Sequence, residues 1–240
     1  MADIKPLTIW TVYHKDGQLD EYPIMNLDTH GYFAANDDDR GKGINDLNPA
    51  WSELVAIYYI WINQIASWCV GINHYRRQFE PNTLPSEGEA CVYKQYDWGR
   101  ETVAEQFARH HGKEALYVTL AALARHKGDR YIRNLTENHI LIGNCCFVMA
   151  WSDFQNMCSW LFPLLEEIRD ALIGKPKNHK DELKRWRDYA VKHFGEENAD
   201  YQMRCIAFIG ERLISAWIME NLNIIQIEHK ASVNPKRNFV

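Results

Sequence analysis

The sequence predicts a single α/β domain, with a mixed, mainly parallel sheet flanked by helices. Three observations lead there. Short apolar runs rich in β-branched or aromatic residues occur at 7–13, 68–72, 144–149 and 224–227, as buried strands do. Between them lie segments with apolar residues at helical spacing, the alternation of sheets covered by helices. At 240 residues the chain suffices for one substantial core.

Taken in order, Leu7-Thr8-Ile9-Trp10-Thr11-Val12-Tyr13 alternates β-formers and runs into the turn-like His14-Lys15-Asp16-Gly17. Residues 36–43, with Asp37, Asp38, Asp39 and two glycines, read as a loop. Asn48 is the expected N-cap and Pro49 the first helical residue. Apolar spacing from Trp51 to Ile65 then predicts one buried helix leading straight into the 68–72 strand. Pro81, Pro85 and Gly88 mark 78–99 as a surface loop, and 100–126 reads as two helices split at Gly112. The first carries His110 and His111, which diverge by about 100 degrees and do not suit one metal.

After the 144–149 strand, Ser152 and Gln155 have capping-box spacing. An apolar stripe follows to Leu172, in which Pro163 predicts a kink near 159–163. Residues 174–199 hold seven Lys or Arg against five acids. They read as a charged excursion with one amphipathic helix facing solvent, an anionic membrane surface or partner protein being the alternative. A last helix runs from Tyr201 toward Leu222, ahead of the 224–227 strand. The expected domain covers 1–231, followed by a polar tail at 232–240.

Charge narrows the partners. With 27 basic against 32 acidic residues, net -5, nothing draws the chain globally to nucleic acid. No apolar run is long enough for a membrane span, and the first residues lack a secretory layout, so the expected location is cytoplasmic. Six cysteines show no C-x-x-C spacing and read as reduced core residues, neither a zinc site nor a disulfide framework. Nine tryptophans and twelve tyrosines serve as core filler or as surfaces for stacking sugar rings.

Chemistry concentrates at Gly71-Ile72-Asn73-His74-Tyr75-Arg76-Arg77-Gln78-Phe79, where an apolar run ends in polar, aromatic and cationic groups. Strand ends are where open α/β sheets put ligands, and two arginines with a His and a Tyr supply what a diphosphate needs. A solvated basic corner is the plain alternative.

Several landmarks stand in a telling order: Val-Tyr-His-Lys ending the first strand, Gly43-Ile44-Asn45, Asn48, Glu53-Leu54, then the His-Tyr-Arg-Arg block. Asn144-Cys-Cys-Phe-Val-Met, Cys158-Ser-Trp160-Leu-Phe162, Tyr201-Gln-x-Arg204 and Phe208-Ile-Gly-Glu211-Arg212-Leu213 follow. Together, over roughly residues 7–229, they resemble the bacterial capsular and exopolysaccharide glycosyltransferases, some of them galactofuranosyltransferases, with a GT-A-like fold. The resemblance implies transfer of a sugar, for instance galactofuranose, from a nucleotide-sugar donor such as a UDP-sugar to a capsular, exopolysaccharide or lipopolysaccharide glycan or a lipid-linked one. It implies work at the inner face of the membrane, with peripheral association as an option, and favours inversion.

Where many GT-A enzymes carry a metal-binding Asp-x-Asp, this chain has Asn73-His74-Tyr75-Arg76-Arg77, and guanidiniums can meet the same charge. Arg76 and Arg77 are therefore the expected leaving-group clamp. His74 and Tyr75 shape the pocket, with Asn73, Asn45, Glu53 and Arg212 also on the donor. Thr11 and His14 face its base or ribose. A Mn or Mg ion held by His74 and the 37–39 acids is the alternative. Glu211 is the expected base, set against an internal ion pair with Arg212. Glu53 alternatively just favours a helix dipole. The rival functions are a metal-dependent hydrolase or phosphotransferase, and a non-catalytic glycan-binding module.

Overall fold

A computed structural model describes residues 5–13, 30–34, 43–77 and 79–226. The strands are β1 (Leu7–Tyr13), β2 (His30–Ala34), β3 (Cys69–His74), β4 (Glu89–Val92), β5 (Gln95–Asp97), β6 (Ile140–Ile142), β7 (Phe147–Ala150) and β8 (Asn223–Gln226). The helices are α1 (Asn48–Trp51), α2 (Leu54–Ile62), α3 (Val103–His111), α4 (Lys113–Arg125), α5 (Asp129–Glu137), α6 (Trp151–Ile173), α7 (His179–Phe194), α8 (Ala199–Gln202) and α9 (Cys205–Asn221). Among the described residues, six strands form one sheet in the order β2-β1-β3-β7-β4-β8, and β5 pairs with β6 in a second sheet. The β1–β2, β1–β3 and β4–β8 pairs are parallel, and β7 runs antiparallel to both neighbours. This is the expected mixed, mainly parallel α/β sheet.

Alternation along the strands gives each face its own core. Val12, Val70, Ile72, Val92, Phe147 and Met149 join the main core with α2, α6 and α9, whereas Leu7, Ile9, Cys69, Cys91, Cys146 and Val148 gather on the other face with Phe79 and Tyr93. At the centre, Gly71 of β3 lies opposite Val148 of β7. A Cβ there would meet Val148 Cγ2 at 2.7 Å and Ile9 Cγ1 at 3.0 Å, so the three strands approach only because position 71 has no side chain. All six cysteines are buried and free.

Several expectations need correction. The helix expected across 49–65 breaks at Ser52, whose φ of 47° and ψ of -131° no helix accommodates; its N-cap is Leu47, with Asn48 already helical. The helix ends at Ile62, and Trp68 lies outside β3 with 65% of its surface exposed. The expected 78–99 loop contains β4 and β5, because apolar Ala90-Cys91-Val92 can cover β7's free edge. Helix α6 starts at Trp151 with no side-chain cap, so Ser152 makes no capping box, and it is continuous through Pro163. The last helix is also divided, at Met203 and Arg204.

The largest correction is the charged excursion. Trp186 and Glu182 of α7 are 0% and 1% exposed, and Trp51 Nε1–H donates to Glu182 Oε1 at 2.7 Å. Helix α7 is thus part of the main core, its charges lying on the outer face.

Candidate functional site

Strand β3 delivers Asn73 and His74 to one edge of the sheet, both buried. The chain then reverses: His74 N–H donates to Arg77 O at 3.2 Å and Arg77 N–H to His74 O at 2.8 Å. Tyr75 N–H donates to Val12 O at 3.0 Å, fastening this turn to β1. Arg76 is therefore at the tip and exposed, with Arg77 half-buried behind it. The Arg76 guanidinium lies over the Tyr75 ring, 5.1 Å from its centre, an arrangement that holds a cation without neutralising it.

The turn also sets the histidine's tautomer. Arg76 N–H donates to His74 Nδ1 at 3.2 Å, so in the neutral ring the proton belongs on Nε2. That nitrogen faces Glu53 Oε1 at 3.4 Å. Glu53 follows the strained Ser52, a conformation costing on the order of 1–3 kcal/mol that sends its side chain toward β3 instead of along a helix face.

Helix α9 forms the opposite wall. Gly210 lets it approach α2, since a Cβ there would meet Leu54 Cδ1 at 2.6 Å. Glu211 is next in the chain, with one oxygen accepting from Asn144 N–H and the other bound by Arg212 Nη1 at 2.7 Å. Asn144 and Cys145 both take positive φ, 66° and 51°, in the turn before β7. Because β7 is antiparallel to β3, its start lies at the edge where β3 ends. Arg212 points the other way: Nη2 donates to Gln106 Oε1 at 2.9 Å and the guanidinium sits 5.5 Å from the Phe107 ring centre.

Between the walls is a cavity of about 490 Å3, in which Glu53, His74, Tyr75, Arg76, Arg77 and Glu211 come together. Ser52, Asn144, Cys145, Tyr201, Arg204 and Phe208 also line it. Burial pushes the Cys145 thiol well up, and Glu211 and Glu53 push it further, so it is no nucleophile at neutral pH. The exposed Tyr201 ring rests on Phe208, 5.1 Å between centres, and Phe208 stacks on His111 at 4.0 Å. His111 Nδ1 bonds to Gln202 Oε1 at 3.1 Å, tying α8 to α3. Burial drives this imidazole down to about 4.

The other predicted residues lie elsewhere. Thr11 is fully buried in β1, its hydroxyl without a hydrogen-bond partner among the described residues. Asn73 Nδ2 donates to Phe79 O at 3.0 Å, bracing the chain beyond the turn, and Asn45 is buried in a short 3-10 turn. Arg212 supports Glu211 from behind the wall. His14 and the 37–39 acids fall outside the described residues. Asn144, Tyr201, Arg204 and Phe208 had a signal, since each belongs to a sequence landmark, Phe208 to the one that carries Glu211 and Arg212.

The fold and site together define an α/β protein with a polar cleft at the strand ends. It belongs to the family described as Domain of unknown function (DUF4422), which matches residues 8–192. No curated protein matches the chain. A solved structure described as the WbbM bifunctional glycosyltransferase in its apo form has a similar fold, with a TM-score of 0.64 and 19% identity. The match covers 98% of this chain and 48% of that one, so this chain spans about half of that protein's length.

Proposed function

We propose that the protein is a glycosyltransferase that moves a sugar from a nucleotide-sugar donor, a UDP-sugar in the first instance, to a surface glycan or lipid-linked glycan. The observation that carries this reading is the cavity itself. Arg76 and Arg77 stand on the β3 turn and Glu211 on the opposite wall, in a fold similar to that of a glycosyltransferase. As the glycosidic bond breaks, negative charge grows on the departing diphosphate, and fixed guanidiniums stabilise it. Glu211, already oriented by Arg212 and Asn144 N–H, takes the proton of the attacking hydroxyl. Glu53 Oε1 faces His74 Nε2 at 3.4 Å, beside the arginines, so this reading puts Glu53 with the leaving group and gives the base role to Glu211. A base and a clamp on opposite walls suit single displacement, hence inversion.

A galactofuranose donor and a site of action at the inner membrane face complete the reading. No described helix is long and apolar enough to cross a membrane. Among the described residues no group of three or more His, Cys, Asp or Glu is placed to hold a metal ion. His74 already accepts from Arg76 N–H and faces Glu53, with two guanidiniums nearby, a setting that favours anions over a divalent ion. The reading therefore assigns charge neutralisation to the arginines.

Thermal shift and calorimetry with UDP, GDP and their sugars test it. A ligand bound only by the folded state raises Tm. At least one nucleotide should do so, and Arg76→Ala/Arg77→Ala should abolish the shift. If none binds, the reading fails.

A further inference from the structure

A second cavity, of about 250 Å3, shares a wall with the first. Trp51 lines it, while Ser52, Glu53 and Leu54 line the other. Two residues along a chain span at most about 7 Å, so at this wall the cavities are close neighbours. The floor is aromatic: Phe162 stacks on Trp61 at 5.4 Å and meets Tyr58 edge-on at 5.0 Å. At the back, buried Glu182 is paired with Arg169 Nη1 at 3.4 Å and accepts a hydrogen bond from the Trp51 indole N–H.

The rim differs. Arg169 and His179, which line it, both form ion pairs. Lys175 and Lys177 line the cavity, are exposed, and form no ion pair among the described residues. Glu166 stands on the same rim. With burial it pushes the Tyr58 hydroxyl up, so that group remains a neutral donor and acceptor.

We propose that this second cavity binds a carboxylate-bearing sugar unit of the acceptor glycan, next to the unit that receives the transferred sugar. The acceptor role rests on the glycosyl-transfer reading. Rings offer an apolar face to sugar C–H groups, Glu166 and Tyr58 offer partners to hydroxyls, and the two ammoniums match one carboxylate. A nucleotide suits it less well, since a diphosphate brings more negative charge beside Glu166 and Glu182.

Calorimetry on the full chain, without turnover, tests this with tetragalacturonate, neutral maltotetraose and UDP. Tetragalacturonate should bind more tightly than maltotetraose, and Lys175→Ala/Lys177→Ala should weaken it about tenfold, leaving UDP unchanged. Arg76→Ala/Arg77→Ala should do the reverse. The proposal is overturned if tetragalacturonate does not bind, if the two saccharides bind equally, or if the lysine change removes UDP binding. UDP that binds nowhere, beside lysine-dependent binding of tetragalacturonate, would overturn the transfer reading and the acceptor role while leaving a site for anionic saccharides.

Discussion

The two walls of the main cavity are built by opposite means. On the β3 turn, charge is presented outward, with Arg76 at the tip of a tight reversal and its guanidinium resting on Tyr75. On α9, charge is locked inward, with Arg212 7% exposed and bonded to Glu211, Gln106 and the Phe208 carbonyl. An outward cation can meet a ligand at little cost to folding. An inward pair fixes a carboxylate's direction but makes stability depend on both partners. The same residue chemistry is therefore presented to the cavity on one side and turned into the fold on the other.

The sharpest break of this contrast is Glu211→Gln. Transfer should fall roughly 100-fold to 10,000-fold in initial-rate assays, as loss of a base requires. Because the carboxylate is also the partner of buried Arg212, the melting temperature should drop too, while calorimetric donor affinity stays near normal. Full-speed transfer would move the base elsewhere, with Glu53→Gln the next variant to assay. Arg212→Ala removes the buried brace behind Glu211, with its bonds to Gln106 and the Phe208 carbonyl, and should cost about 1–3 kcal/mol in urea unfolding. If stability is unchanged, the inward wall is not the brace described.

On the outward wall, Arg76→Ala and Arg77→Ala should each cost about 2–4 kcal/mol of transition-state stabilisation, seen in kcat/KM, with unfolding within about 0.5 kcal/mol of wild type. Equal losses of rate and stability would erase the distinction between the walls. His111, behind Phe208, adds a pH arm. Its folded value of about 4 lies below the ordinary 6.5, so the unfolded chain binds the proton first. Its contribution is complete above pH 6.5 and is lost as pH falls toward 4, about 3 kcal/mol over that window. His111→Phe should flatten this part of the wild-type stability curve. The smallest expected effect is that of EDTA, which should leave transfer nearly intact; loss with rescue by Mn or Mg would assign the outward charge to a metal.

The outward wall was the more legible in sequence. His74 to Arg77 are contiguous and end an apolar run buried on both faces, so strand and turn announce each other. The inward wall gathers Glu211, Asn144 and Tyr201 from distant segments, and only the landmark order hinted at it. Strands β5 and β6 have three residues each, too few for a period to register. The break at Ser52 carries no Gly or Pro, since packing imposes it. Helix α7 was misplaced because seven cations obscured a stripe that runs from Glu182 through Trp186 to Tyr189, where the decisive residues are two rings and one paired acid.

Gly71 sets a different kind of limit. With Val148 and Ile9 already within 3.0 Å of where its Cβ would stand, position 71 is a mutational dead end one turn of pleat away from the His-Tyr-Arg-Arg block. Even alanine would have to push β1 or β7 outward, and both carry cavity geometry: β1 anchors Tyr75, and β7 begins at the Asn144 turn. Engineering of the site can therefore vary its tip freely but must leave this one hydrogen-sized gap in the sheet alone.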